Sequence, residues 1–225
     1  MAGELDGPRL EPPGGQPAKR LVVFLHGYGA DGNDLIEIGR AWQAFMPNAA
    51  FASPHAPRPC GQAPMGREWF PLTFRNPDER WLGVNAAAPV LEHFLDAELA
   101  RHDLQPSALA LVGFSQGTMM SLHVGLRRAV APAAIVGYSG MLVLEGDTDV
   151  EGYAPQVRAR PPVLLVHGDS DDLIPVQALM HATQALAALE VPAEWHVSAG
   201  LGHGIDDEGL RQGGDFLARR FRVAR

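Results

Sequence analysis

One cysteine, Cys60, stands in 225 residues, so no disulfide can form within the chain. The fold therefore needs no oxidising compartment, and Cys60 reads as an incidental loop thiol. Positive charge is also scarce: the formal net charge is −8, which speaks against a nucleic-acid surface and offers nothing to an anionic bilayer. No apolar run is long enough for a membrane span. The first 18 residues hold four glycines and four prolines but no apolar h-region, so no signal peptide is read there. Residues 1–20 are expected to be a disordered or loosely attached tail, with a single domain over 21–225. There is no His-Glu-x-x-His and no cysteine pair, so neither a metal nor another cofactor is expected. These absences leave a cytoplasmic protein whose partner is a small molecule, with no integral membrane contact, as a monomer or homodimer.

What is present is alternation. Hydrophobic residues make up 46% of the chain, enough for a sizeable core. Short apolar runs at 21–25, 50–52, 108–112, 133–138, 162–166 and 194–197 read as strands. Between and after them, helical patterns run over 34–46, 84–101, 116–128, 176–189 and 205–221. In the last, Gly213-Gly214 is expected to weaken or bend the helix. Strand and helix in alternation predict an α/β fold: a mostly parallel central sheet with helices on both faces. Residues 53–83 form a long proline-rich segment, and long irregular segments are usually functional. Residues 139–160 have no clear pattern.

The chemistry centres on Gly113-Phe114-Ser115-Gln116-Gly117, between an apolar strand and a helix. That is the setting of a nucleophile elbow, where a sharp turn lifts Ser115 above the sheet. A serine hydroxyl needs a base, and the base needs an orienting acid. The acid candidates Asp169, Asp171 and Asp172 follow the strand 162–166. The base candidate is His203, between Gly202 and Gly204, whose glycines suggest close backbone packing. Ser, Asp, His is the chain order of an α/β-hydrolase. His167 and His26 directly follow apolar strands and read as buried structural imidazoles. Two backbone N–H groups would be needed to hold a developing oxyanion. Gln116 supplies one, and Tyr28, in the loop after the first strand, the other.

Taken together, His26-Gly-Tyr-Gly29, Gly113-Phe-Ser-Gln-Gly117, His167-Gly-Asp-Ser-Asp171 with Pro175, and Gly202-His203 resemble the phospholipase/carboxylesterase family of α/β-hydrolases, which includes bacterial carboxylesterases and acyl-protein thioesterases. The resemblance runs from Leu21 to about Phe221 and implies a serine ester hydrolase with Ser115 as nucleophile, Asp171 as acid and His203 as base. It also implies an oxyanion site at Tyr28 and Gln116 and a substrate wall around Trp69-Phe70. Asp172 stands where the family often has proline, so it remains a second candidate for the acid. Tyr28, where the thioesterases tend to carry leucine, tilts the reading towards the esterases.

The chain is short for this fold and leaves no room for a large cap domain. Met65, Trp69, Phe70 and Leu72 are expected to wall an open acyl pocket, which favours short-to-medium acyl esters over long-chain lipids. A thioesterase or lysophospholipase with the same triad is the alternative. Gly27-x-Gly29-x-x-Gly32 also matches a dinucleotide fingerprint. The acid needed for the ribose about 20 residues on is missing, however, since that stretch reads Ala50-Phe-Ala-Ser-Pro-His.

Overall fold

The computed structural model describes residues 4–73, 76, 78–147 and 149–223. Met1 to Gly3 of the expected tail, and positions 74, 75, 77 and 148 of the two long loops, lie outside them. One seven-stranded sheet organises the rest. Its strands are β1 (Arg9–Leu10), β2 (Arg20–Leu25), β3 (Ala49–Ala52), β6 (Leu109–Phe114), β7 (Ala134–Tyr138), β8 (Val163–Gly168) and β9 (Ala193–Ser198). A small hairpin of β4 (Arg58–Pro59) and β5 (Arg67–Glu68) stands apart within the long loop. The sheet order is β1-β3-β2-β6-β7-β8-β9, and every pairing except β1 with β3 is parallel.

The strands carry a period of two. Leu21, Val23, Leu25, Leu109, Leu111, Ile135, Val163 and Leu165 face one core. Val22, Phe24, Ala110, Val112, Val136, Leu164 and Val166 face the other. Apolar runs without polar breaks are what a sheet covered on both faces requires. The first core is closed by α2 (Glu79–Arg101), α3 (Gln116–Gly125) and α5 (Gln177–Ala188), the second by α1 (Asn33–Trp42) and α6 (Asp207–Val223). One turn, α4 (Val150–Tyr153), lies in the stretch that had no sequence pattern. Among the described residues no helix is long and apolar enough to cross a membrane.

Three expectations are corrected. The first concerns α2, which begins at Glu79 rather than near Val84. Its first turn carries Trp81, half-buried, and Leu82, exposed, so no apolar stripe marks it. The second concerns α6, which runs unbroken through Gly213-Gly214. A Cβ on Gly213 would stand 1.9 Å from the Tyr138 hydroxyl, and one on Gly214 2.7 Å from Phe45. The two glycines permit close packing, and the packing outweighs their low helix propensity.

The third correction concerns residues 4–20, which are docked rather than loose. β1 pairs with β3, Leu5 is buried, and the Asp6 and Pro8 carbonyls accept from His55 and Ser53 N–H. Arg9 grips the buried Glu98 of α2 with three hydrogen bonds of 2.8–3.1 Å. Backbone pairing and one ion pair hold a segment whose composition has little apolar content to advertise. Arg9→Met should therefore destabilise the protein by about 3 kcal/mol, because the buried Glu98 carboxylate loses its partner. Urea unfolding at pH 7 measures this, and replacing Glu98 by Gln in the same chain should recover part of the loss.

Candidate active site

The candidate residues gather beyond the C-terminal ends of β2, β6, β8 and β9, where open α/β sheets bind their ligands. Ser115 joins β6 to α3 with φ 53° and ψ −114°. A non-glycine residue held there costs on the order of 1–3 kcal/mol and needs its surroundings to enforce it. They do so on several sides. Ser115 N–H donates to Tyr138 O at 2.9 Å. Thr118 Oγ1 bridges Gly113 O at 2.8 Å and Tyr138 O at 2.9 Å. A Cβ on Gly117 would come within 1.8 Å of Leu25 O, and one on Gly113 within 2.4 Å of Gly117. Bare backbone at both positions lets α3 drive against the end of β2 and keeps the turn tight.

Asp171 lies in the turn after β8, with its side chain wholly buried. Its Oδ1 accepts the N–H groups of Leu173 at 3.0 Å and Ile174 at 2.9 Å. Its Oδ2 stands 2.8 Å from His203 Nδ1. Burial works to raise the Asp171 pKa. The Ile174 N–H, His203 and the Leu173 N–H outweigh it and hold the carboxyl below the usual carboxylate range. The neighbouring aspartates do other things. Asp169 accepts from Gly200 N–H at 2.7 Å and from the Ser170 hydroxyl at 2.9 Å. Asp172 is exposed on the rim of a cavity. Of the three, only Asp171 meets the imidazole.

His203 rests against the Phe114 ring, 5.0 Å between centroids. Its flanking glycines do not mark tight packing, as a Cβ on either would meet nothing nearer than 3.9 Å. The loop is held instead by Ser139 Oγ donating to Gly204 O at 2.9 Å and Ser170 N–H donating to Leu201 O at 3.0 Å. The crowded glycine is Gly168, where a Cβ would stand 2.1 Å from Leu201 O.

Ser115 and His203 share one cavity of about 540 Å³ with Tyr28 and Gln116. Its apolar wall comes from Leu72, Met119, Met141, Leu173, Ile174 and Pro175. Of the expected wall residues, only Leu72 is among them. Trp69 and Phe70 are each 1% exposed and belong to the core, while Met65 is 93% exposed beside a different hollow. The reason is Gln116. Its buried amide accepts from Trp69 N–H at 2.9 Å and donates to Phe70 O at 2.8 Å. Trp69 Nε1–H in turn donates to His26 O at 3.0 Å. The aromatic pair pins the long loop to the site and does not line it. No periodicity signals such a clasp, and Leu173-Ile174-Pro175 was visible in sequence only as the neighbour of Asp171.

The loop over Ser115 is fixed by His26, which is fully buried. Its Nε2 accepts from Ala56 N–H at 2.9 Å, so the proton sits on Nδ1, 2.8 Å from Gly27 O. The glycines of the dinucleotide-like motif also serve packing, since a Cβ on Gly32 would lie 2.1 Å from Ser53 O.

A strained serine at a strand–helix turn, a carboxylate-bound imidazole and a mostly parallel sheet together define an α/β-hydrolase. A family model described as phospholipase/carboxylesterase matches residues 9–220. The chain is 25% identical over 202 residues to esterase YpfH of Escherichia coli (strain K12), covering 90% of this chain and 83% of that protein. It is 27% identical over 214 residues to acyl-protein thioesterase 1 of Gibberella zeae, covering 88% and 89%. The crystal structure of esterase PE8 superposes with a TM-score of 0.91 at 42% identity, over 96% of this chain and 99% of that one. The chain belongs to the phospholipase/carboxylesterase family and is a serine hydrolase of the esterase class.

Two buried histidines make the fold acid-sensitive. Burial pushes His26 down to about 4 and, with the charge of Arg127 adding to it, His123 down to about 3. An unfolded histidine titrates near 6.5, so below that pH the unfolded chain binds protons that the folded chain refuses. Stability should be full above about pH 6.5 and decline as the pH falls towards 4, with an uptake approaching two protons on unfolding. Urea midpoints measured from pH 7.5 to 4 should follow that slope, and His123→Phe should reduce it by about one proton.

Proposed function

We propose that the protein hydrolyses short-to-medium acyl esters through Ser115, His203 and Asp171 by way of an acyl-enzyme. The observation that carries this reading is the 2.8 Å contact between His203 Nδ1 and the buried Asp171, on a cavity that His203 shares with the strained Ser115. Asp171 holds the proton on Nδ1, which leaves Nε2 as the basic nitrogen. Nε2 takes the Ser115 proton as Oγ attacks the ester carbonyl. The alkoxide that forms on the carbonyl oxygen meets the backbone N–H groups of Gln116, at the start of α3, and Tyr28. The next N–H groups along that loop, Gly29 and Ala30, donate to Arg67 O and Gly27 O, which favours Tyr28 as the second donor. Collapse expels the alcohol, which takes the proton from His203. Water then repeats the sequence and frees the acid.

Asp171 is preferred over Asp172 because a buried acceptor can orient an imidazole, whereas an exposed rim carboxylate cannot. Ser115→Ala should lower kcat by roughly 10⁴–10⁶-fold without unfolding the protein. Asp171→Asn should cost about 10²–10⁴-fold in kcat and Asp172→Asn far less. A fluorophosphonate probe should label the wild type at Ser115 alone, and labelling elsewhere refutes the assignment.

The cavity volume lies in the range of small-molecule sites, and its apolar wall favours an acyl chain. Each buried methylene is worth about 0.8 kcal/mol, so kcat/KM should climb roughly fourfold per carbon until the wall is used up. Leu72→Ala should flatten that climb in a C2-to-C16 p-nitrophenyl ester series while sparing C2. Trp69→Phe, which loses the bond to His26 O, should act at every chain length alike. A wild-type optimum at C14–C16 would overturn the short-pocket reading.

The acyl-protein thioesterase named among the relatives supports thioester hydrolysis, with the same triad, as the second reading. An acyl thioester and a lysophospholipid measured beside the ester of equal chain length distinguish the three.

A further inference from the structure

His167 is the penultimate residue of β8, four residues before Asp171, and its side chain is 1% exposed. Its Nε2 stands 2.7 Å from Ile174 O. A carbonyl only accepts, so that nitrogen carries the hydrogen. The same Nε2 is 3.3 Å from Asp171 Oδ2, the oxygen that faces His203. Ile174 is thus held at both ends, its N–H on Asp171 Oδ1 and its carbonyl on His167. We propose that His167 is a positioning residue for the proposed triad: its Nε2–H bonds Ile174 O, whose own residue holds Asp171 Oδ1, and the same N–H edge lies 3.3 Å from Oδ2, so that the two together fix the carboxylate oxygen that orients His203.

With Leu173 and Ile174 N–H groups on Oδ1 alone, the carboxylate could still tilt about its own bond and carry Oδ2 away from His203. A donor beside Oδ2, rooted in the rigid end of a central strand, opposes that tilt. It also takes up part of the negative charge on Oδ2, so His203 meets a tempered acceptor. Around Asp171 stand His167 from β8, His203 from the loop after β9, and Asp169 and Asp172 from its own turn. The His26 ring, by contrast, hydrogen-bonds backbone atoms of Gly27 and Ala56, so the same argument does not extend to it.

The inference rests on the triad reading, and its test separates the two. His167→Phe removes the hydrogen and His167→Gln keeps a donor of similar reach. The Phe variant should lose about 10–100-fold in kcat, with KM changed less than about threefold, because the loss falls on the reacting geometry. The acid limb of its kcat/KM profile should move to higher pH, since a less tempered Oδ2 favours the protonated imidazole. The Gln variant should restore both. A purely structural role would lower activity equally at every pH and leave the limb in place, and that result overturns the inference. So does a His167→Phe enzyme with wild-type kcat. Nitrogen-15 NMR of the wild type provides a test that needs no variant: His167 should be the Nε2–H tautomer, and an Nδ1–H tautomer refutes the proposal. If fluorophosphonate labelling misses Ser115 or Asp171→Asn keeps full activity, the triad reading fails instead.

Discussion

The site depends first on how closely α3 approaches the end of β2. A single added carbon at Gly117 would overlap Leu25 O. That contact sets the depth of the helix, and the depth sets the turn that holds Ser115 in its strained conformation. Close-packed backbones are rigid because neither can yield without breaking strand or helix hydrogen bonds. The strain at Ser115 is therefore sustained by the sheet, through Tyr138 O and Thr118, as well as by the turn itself. A serine on a looser connection would relax out of line with any base.

The same logic extends to the proposed acid and base, which come from loops. Asp171 Oδ1 is held by two backbone N–H groups of its own turn. His203 is tied less tightly. Its loop is anchored through Ser139 to the end of β7 and through Ser170 to the turn of Asp171. The imidazole is thus located from the ends of β7 and β8 rather than by its flanking glycines.

The layers of the sheet were legible because each central strand is a short apolar run with no polar interruption, a pattern that only a doubly covered strand produces. Ser115, His203 and a group of three aspartates were legible as residue types at strand ends in a set order, and Asp171 was singled out among the three only through the family resemblance. The apolar wall of the cavity was not legible. Trp69 and Phe70 looked like pocket residues because they are apolar in a loop, yet loop aromatics can also serve as anchors, and only the Gln116 amide decides between the two. The docking of residues 4–20 was hidden for a related reason. It rests on β1 pairing and on Arg9 reaching Glu98, 89 positions away, and neither leaves a local periodicity.

Gln116 joins two tasks that could have been separate. Its backbone opens α3 beside Ser115, while its side chain holds residues 69 and 70 of the long loop. That loop is therefore not an exchangeable module, because reshaping it to admit a new substrate would disturb the helix start on which the chemistry depends. The wall on the other side, built from Met141 and the 172–175 turn, has no such coupling to Gln116. Divergence of specificity within this scaffold, by selection or by design, should therefore accumulate in the side chains of Met141 and Leu173, while the 66–70 stretch and the backbone of the turn that holds Asp171 change little.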